Sequence, residues 1–80
     1  MTKKTFRIAT IDLGEGIKPM RQNDGAMIIM EGEAGDEETR PALHVPMIVR
    51  PKRGEGWRTD DPEQEAFARR VVDLLNAEFA

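Results

Sequence analysis

Between Arg50 and Arg58 the chain gathers four basic side chains around its only tryptophan, in the order Arg50-Pro51-Lys52-Arg53-Gly54-Glu55-Gly56-Trp57-Arg58. Three uses of such a stretch are chemically distinct. Lys52, Arg53 and Arg58 can grip phosphates while the indole stacks on a base, the combination that binds single-stranded nucleic acid. The same Trp and Arg side chains are the commonest anchors of a protein interface. Alternatively, Trp57 folds back as a lid over a helix-sheet seam and the bases only keep the segment solvated. The readings differ in one observable, the burial of Trp57.

Two further groups carry titratable chemistry. His44 is the single histidine, the side-chain type most often used for proton transfer near neutral pH. Glu31, Glu33, Asp36, Glu37 and Glu38 form an acidic cluster. Their spacing does not follow a calcium loop, so the cluster reads as a solvated loop or as a surface for a basic partner. An acidic protein that blocks a nucleic-acid-handling machine, with these carboxylates where phosphates bind, is one form of that second reading.

Absences narrow the chemistry further. The chain has no serine, cysteine or tyrosine, which removes serine and thiol nucleophiles and any tyrosine acid. One histidine and no thiolate leave no zinc ligand set. Gly14-Glu15-Gly16 and Gly54-Glu55-Gly56 lack the third glycine of a dinucleotide fingerprint, and no Walker lysine follows either. The expectation is a non-enzyme with no cofactor and no metal. The segment Asp12-Leu13-Gly14-Glu15-Gly16-Ile17 resembles the start of the lipoyl domains of 2-oxoacid dehydrogenase acyltransferases. The resemblance implies a lipoyl carrier only with a lysine in an Asp-Lys-Ala hairpin tip, and none of Lys3, Lys4, Lys18 and Lys52 stands in that context. It assigns no site here.

Eighty residues support one core, hence a single domain over 1–80. No apolar run approaches the roughly 18 residues of a membrane span, so no membrane role is expected. Met1 to Phe6 lead directly into strand-like sequence without an apolar signal core, and the lack of cysteine suits a reducing compartment; both point to a cytoplasmic protein. The net charge of −3 is blocked along the chain: +3 over residues 1–10, −6 over 11–38, +4 over 39–58 and −4 over 59–80. A mildly acidic chain lacks the overall basic excess that usually drives phosphate binding, which places nucleic acid second to a protein partner.

The elements that must position these groups follow from periodicity. Phe6 to Leu13 favours a strand but changes phase midway, with Phe6 and Ile8 on one face and Ile11 and Leu13 on the other, as a bulge or burial of both faces would require. Asn23-Asp24-Gly25 predicts a turn before Ala26-Met27-Ile28-Ile29-Met30, an unbroken apolar run that reads as a central strand over 26–31. Residues 43–50 alternate as a third strand, at an edge or bulged at Pro46, which cannot donate to a ladder. Gly32 to Ala42 reads as a loop or a hairpin extension. The glycine-glutamate triplets at 14–16, 31–33 and 54–56 each follow a proposed strand and read as turn punctuation. A helix is predicted over 62–79, with Asp61 as cap, Pro62 opening it and Gln64 at the third position. Its apolar stripe, Leu74, Phe67, Val71, Leu75, Ala68, Phe79 and Val72 in angular order, spans roughly 160°.

The predicted architecture is α+β: a three-stranded, mainly antiparallel sheet in the order β-β-β-α, with the C-terminal amphipathic helix packed on one face. Phe67, Val71, Leu74 and Leu75 are expected to seal that face. Met27, Ile29 and Ile48 are then expected on the open one, as a patch for self-association or docking. The function expected is a small interaction or regulatory module, engaging a protein partner or a second copy through that face and the Arg50 to Arg58 segment. Its contact residues would be Lys52, Arg53, Trp57, Arg58, Ile29, Ile48, Glu37 and Glu38.

Overall fold

The computed structural model describes residues 3–33 and 38–80. Seven strands, β1 (Lys4–Ile8), β2 (Thr10–Asp12), β3 (Ile17–Pro19), β4 (Met27–Glu33), β5 (Thr39–Val45), β6 (Val49–Pro51) and β7 (Trp57–Thr59), precede one helix, α1 (Asp61–Glu78). The fold is α+β. β1, β4 and β5 form an antiparallel sheet in that order, with β4 central as its apolar run requires, and β2–β3 and β6–β7 form two separate antiparallel hairpins.

The expected first strand is two strands in different sheets. The phase change falls at the buried residue Ala9, whose N–H still bonds Ile28 O at 2.8 Å while its carbonyl accepts from Met20 N at 2.9 Å. Beyond it the chain leaves the sheet to form the β2–β3 hairpin. The expected third strand is also divided: β5 ends at Val45, immediately before Pro46, and β6 resumes at Val49. The hairpin extension of β4 and β5 is present, reaching Glu33 on one side and Thr39 on the other. The turn at Gln22–Gly25 is held by Gly25 N to Gln22 O and closed by Ala26 N to Asp24 Oδ1. Gly25 has φ +86°, and a Cβ there would lie 2.8 Å from Met47 Sδ, so both backbone and packing select glycine.

Helix α1 starts one residue earlier than its pattern suggests. Asp60 is the N-cap, accepting from Glu63 N at 3.1 Å, and Pro62 sits second within the helix. The helix crosses the sheet diagonally between two side-chain amides. At its first turn Gln64 is fully buried; its Nε2 donates to Gly25 O (2.8 Å) and Val45 O (3.2 Å), and its Oε1 accepts from Arg21 Nε (3.0 Å). At its last turns Asn76 brackets Phe6, accepting from its N–H at 2.7 Å and donating to its carbonyl at 3.0 Å. Phe79 completes that end, with its ring 5.5 Å from Phe6 and its carbonyl 3.4 Å from Lys4 N.

The core beneath the helix consists of Phe6, Met27, Ile29, Val45 and Ala68, with Ile8, Val71, Val72 and Leu75 packed against it. Two expectations are corrected here. Met27 and Ile29 face the helix and are fully buried; the central strand's odd positions, paired with Phe6, Ile8, Leu43 and Val45, are the covered set. Conversely, Phe67 and Leu74 do not seal the sheet and remain 52% and 70% exposed. The contact face is centred nearer Ala68, and Gln64 occupies a place the apolar pattern assigned to no one. The sheet's other face carries Arg7 and His44, both exposed, beside half-buried Met30 and buried Ile28, so it is not an open apolar patch.

Because its amide bonds are buried, Gln64 should be costly to truncate. Gln64→Ala removes the side-chain partner of the Gly25 carbonyl and of the Arg21 guanidinium and the second donor to the Val45 carbonyl, and is expected to lower unfolding free energy by about 2–4 kcal/mol at unchanged m-value. Urea titration giving a loss under about 0.5 kcal/mol would mean that water replaces those bonds without penalty.

Candidate functional site

The segment expected as a loop between strand and helix is a β-ribbon. β6 and β7 pair in the register Val49 with Thr59, Arg50 with Arg58 and Pro51 with Trp57, and Lys52 N closes the turn on Gly56 O at 3.0 Å. Gly54 and Gly56 take φ of +107° and +90°, which is why glycine flanks Glu55 at the tip. Since residues opposite one another share a face, the ribbon is two-sided. Val49, Pro51, Trp57 and Thr59 lie on one side and Arg50 and Arg58 on the other.

The ribbon is tied to the helix at its base. Asp60 N donates to Ile48 O at 2.8 Å. Arg50 Nε lies 3.1 Å from Asp60 Oδ2 and 2.8 Å from Glu63 Oε2, and its Nη2 also bonds Glu63. Arg50 is thus a structural clamp. Its guanidinium pKa is raised, first by the hydrogen bond to Glu63 and then by that to Asp60. The Asp60 carboxyl is held below its usual 3.8, chiefly by the Glu63 N–H and further by Arg50.

Beyond this clamp Trp57 is 70% exposed, which excludes the lid reading. Lys52 and Arg53 are exposed at the ribbon's turn, whereas Arg58, though also exposed, faces the side opposite Trp57 with Arg50, so the ribbon separates Arg58 from the other three residues expected to act together. Val49 and Pro51 belong to the same apolar side and were not singled out from sequence; the signal available was the alternation of 49, 51 and 57, 59 about a glycine-bearing turn. The remaining expected contact residues lie elsewhere. Ile29 is in the core, which corrects its assignment to a docking face, and Ile48 is half-buried at the ribbon's base. Glu38 is exposed just before β5, beside a polar groove that it lines with Lys4, Glu31 and Arg40. Glu37 lies outside the described residues.

Among the described residues, no cluster of three or more metal-ligating side chains occurs and no helix is long and apolar enough to cross a membrane. The exposed His44 stands across from Ile28 in the sheet. No protein-family model, curated protein or solved structure matches the chain.

The Asp60 clamp makes stability pH-dependent with a definite sign. A carboxyl whose folded pKa is lowered contributes stability that is complete above its unfolded value and is lost as pH falls through the folded value. Wild type should therefore lose melting temperature between pH 5 and pH 2 more steeply than Asp60→Asn, which keeps an acceptor for Glu63 N but no charge. Parallel thermal melts for the two proteins across that window would refute the assignment.

Proposed function

We propose that the chain is a small non-catalytic docking module whose β6–β7 ribbon engages an acidic protein partner, with Trp57 as the anchor. The observation that carries this reading is the exposure of Trp57 on a ribbon fixed at its base. An indole offers about 150–250 Å² of surface for burial, and at about 25 cal/mol per Å² its exposed part represents roughly 3 kcal/mol of unused hydrophobic gain. A ribbon already clamped by Arg50 loses little freedom on binding, so more of that gain appears as affinity. Lys52 and Arg53, exposed at the ribbon's turn, supply positive charge that steers an acidic partner.

Single-stranded nucleic acid is favoured less by the same geometry. A strand needs a positive groove that tracks several phosphates, together with successive stacking platforms. The ribbon offers one aromatic side chain, and the carboxylates of Asp60, Asp61 and Glu63 stand at its base.

The test uses the intact chain with a photo-crosslinking residue in place of Arg53, in lysate of the source cell. The protein captured is then purified and its affinity measured. Trp57→Ala is expected to weaken binding at least about 30-fold, roughly 2 kcal/mol, with an unchanged circular dichroism spectrum. Lys52→Glu with Arg53→Glu should lower the association rate and weaken its salt dependence. An affinity indifferent to Trp57→Ala would refute the proposal. Binding of a poly-dT oligonucleotide at low ionic strength that is lost in Trp57→Ala would assign the ribbon to nucleic acid instead.

A further inference from the structure

The two edges of the three-stranded sheet are treated differently. Phe6 turns its N–H and carbonyl away from β4, and Asn76 takes both; Phe79 O meets Lys4 N further along. The outer edge of β1 is thereby closed by the helix. Strand β5 is the opposite edge and pairs only with β4 among the described residues.

Which groups β5 turns outward follows from the register. Ala9 N bonds Ile28 O, so the even positions of β4 bond the β1 side and the odd positions bond β5. Ile29 and Met27 therefore exchange hydrogen bonds with Leu43 and Val45, their partners in register. Ala42 and His44 then present N–H and C=O to solvent. The pairing shifts between Ile29 and Met30, where Pro41 stands opposite Met30. Pro41 has no N–H, so an added strand can pair continuously only over Ala42 to Val45.

Apolar surface flanks this open edge. Leu43 is on the helix side of the sheet and 46% exposed, although Val45, on the same side, is buried under the helix. On α1, Phe67 and Leu74 lie roughly 180° around the helix from Asn76, which points to β1. They consequently form the flank on the β5 side, and they are the residues the sheet fails to cover.

We infer that β5 is the interface of a twofold homodimer, in which β5 of two copies pair antiparallel about Leu43. The occupant is a second copy because the register is self-complementary. With the axis at Leu43, Ala42 of each copy meets His44 of the other, and both outward pairs of main-chain groups are satisfied. Leu43 meets its own counterpart as a non-hydrogen-bonded pair, the closer-spaced kind, with its side chain among the Phe67 and Leu74 flanks of both helices. The result is a continuous antiparallel sheet, β1-β4-β5-β5-β4-β1, closed at both outer edges by Asn76. Leu43, Phe67 and Leu74 expose on the order of 300 Å² of apolar side chain, a suitable centre for an interface of about 800 Å² per partner. This surface is separate from the β6–β7 ribbon, so the two proposals stand or fall independently.

Sedimentation equilibrium of the intact chain from micromolar to millimolar concentration, with amide exchange followed by NMR, decides the matter. The mass should rise from 9.0 kDa to twice that value. Over the same range exchange at Ala42 and His44 N–H should slow by at least about tenfold. Leu43→Lys should remain at the monomer mass throughout, with native circular dichroism. Should that variant unfold, Phe67→Lys with Leu74→Lys on the exposed flank is expected to raise the dissociation constant at least about tenfold. Trp57→Ala should leave the dimer unchanged. A chain that stays at 9.0 kDa to millimolar concentration overturns the inference. So does a dimer that persists in both variants while Ala42 and His44 amides exchange freely.

Discussion

The side-chain amide of Gln64 joins three parts of the chain that no apolar contact could hold in register: the turn at Gly25, the end of β5 at Val45, and Arg21. A buried amide without partners is strongly unfavourable, whereas one with every hydrogen bond made accepts only the geometry that supplies them. Gln64 therefore fixes where the helix begins relative to the sheet. Asn76, twelve residues on, fixes where it ends by completing the main-chain bonding of Phe6. Between these two amides the helix has one diagonal path, and its position decides what is buried and what is not. Ile29 and Met27 fall beneath it, while Phe67 and Leu74 fall beside it.

That path also explains why the two ends of the sheet differ. The helix ends over β1, so β1 has a bonded edge, while β5 is roofed only near Val45. The β6–β7 ribbon leaves the sheet directly after this point and is held by Arg50 against Asp60 and Glu63, the same carboxyl groups that serve the helix start. One short stretch, Asp60 to Gln64, thus caps the helix, clamps the ribbon and anchors the core. The exposed tryptophan and the exposed strand edge are two outcomes of that arrangement.

The parts of the fold that were legible from sequence are those whose pattern reports burial. The run from Ala26 to Met30 marked the central strand, and the acidic, proline-opened start marked the helix to within a residue; Pro46 marked an edge strand but not that the strand would end before it. The two hairpins were not legible because strands of three residues, exposed on both sides, carry no core-facing alternation to read. Their tips were visible as glycine-glutamate-glycine triplets, and Gly14, Gly16, Gly54 and Gly56 do adopt positive φ. The third triplet misled, since Gly32 lies within β4 with its Cα hydrogen side against Thr39. For the candidate site, proximity in sequence marked the basic stretch around Trp57, but the pairing that turns Arg58 to the other side of the ribbon and the engagement of Arg50 in a clamp needed the strand register and the helix position. Ile29 was misplaced for the same reason: apolar residues at adjacent positions 27 to 30 do not say which face the helix will choose.

The size of the core bears on all of this. Among the described residues eight apolar side chains are buried, and the chain's radius of gyration is 14.7 Å, with extents of 53 × 31 × 17 Å; a closely packed chain of this length has about 11.6 Å. Two hairpins held away from the sheet add length without adding to the core. A chain of this size without cysteine has no disulfides to add to a small core, and association is one way in which such chains gain stability. Binding at the ribbon or along β5 would favour the folded state by mass action, because the unfolded chain has neither a pre-paired ribbon nor a strand edge to offer. Folding and association are then coupled through the same residues: whatever strengthens the Asp60 to Gln64 anchor orders both surfaces, and whatever covers either surface holds the anchor in place.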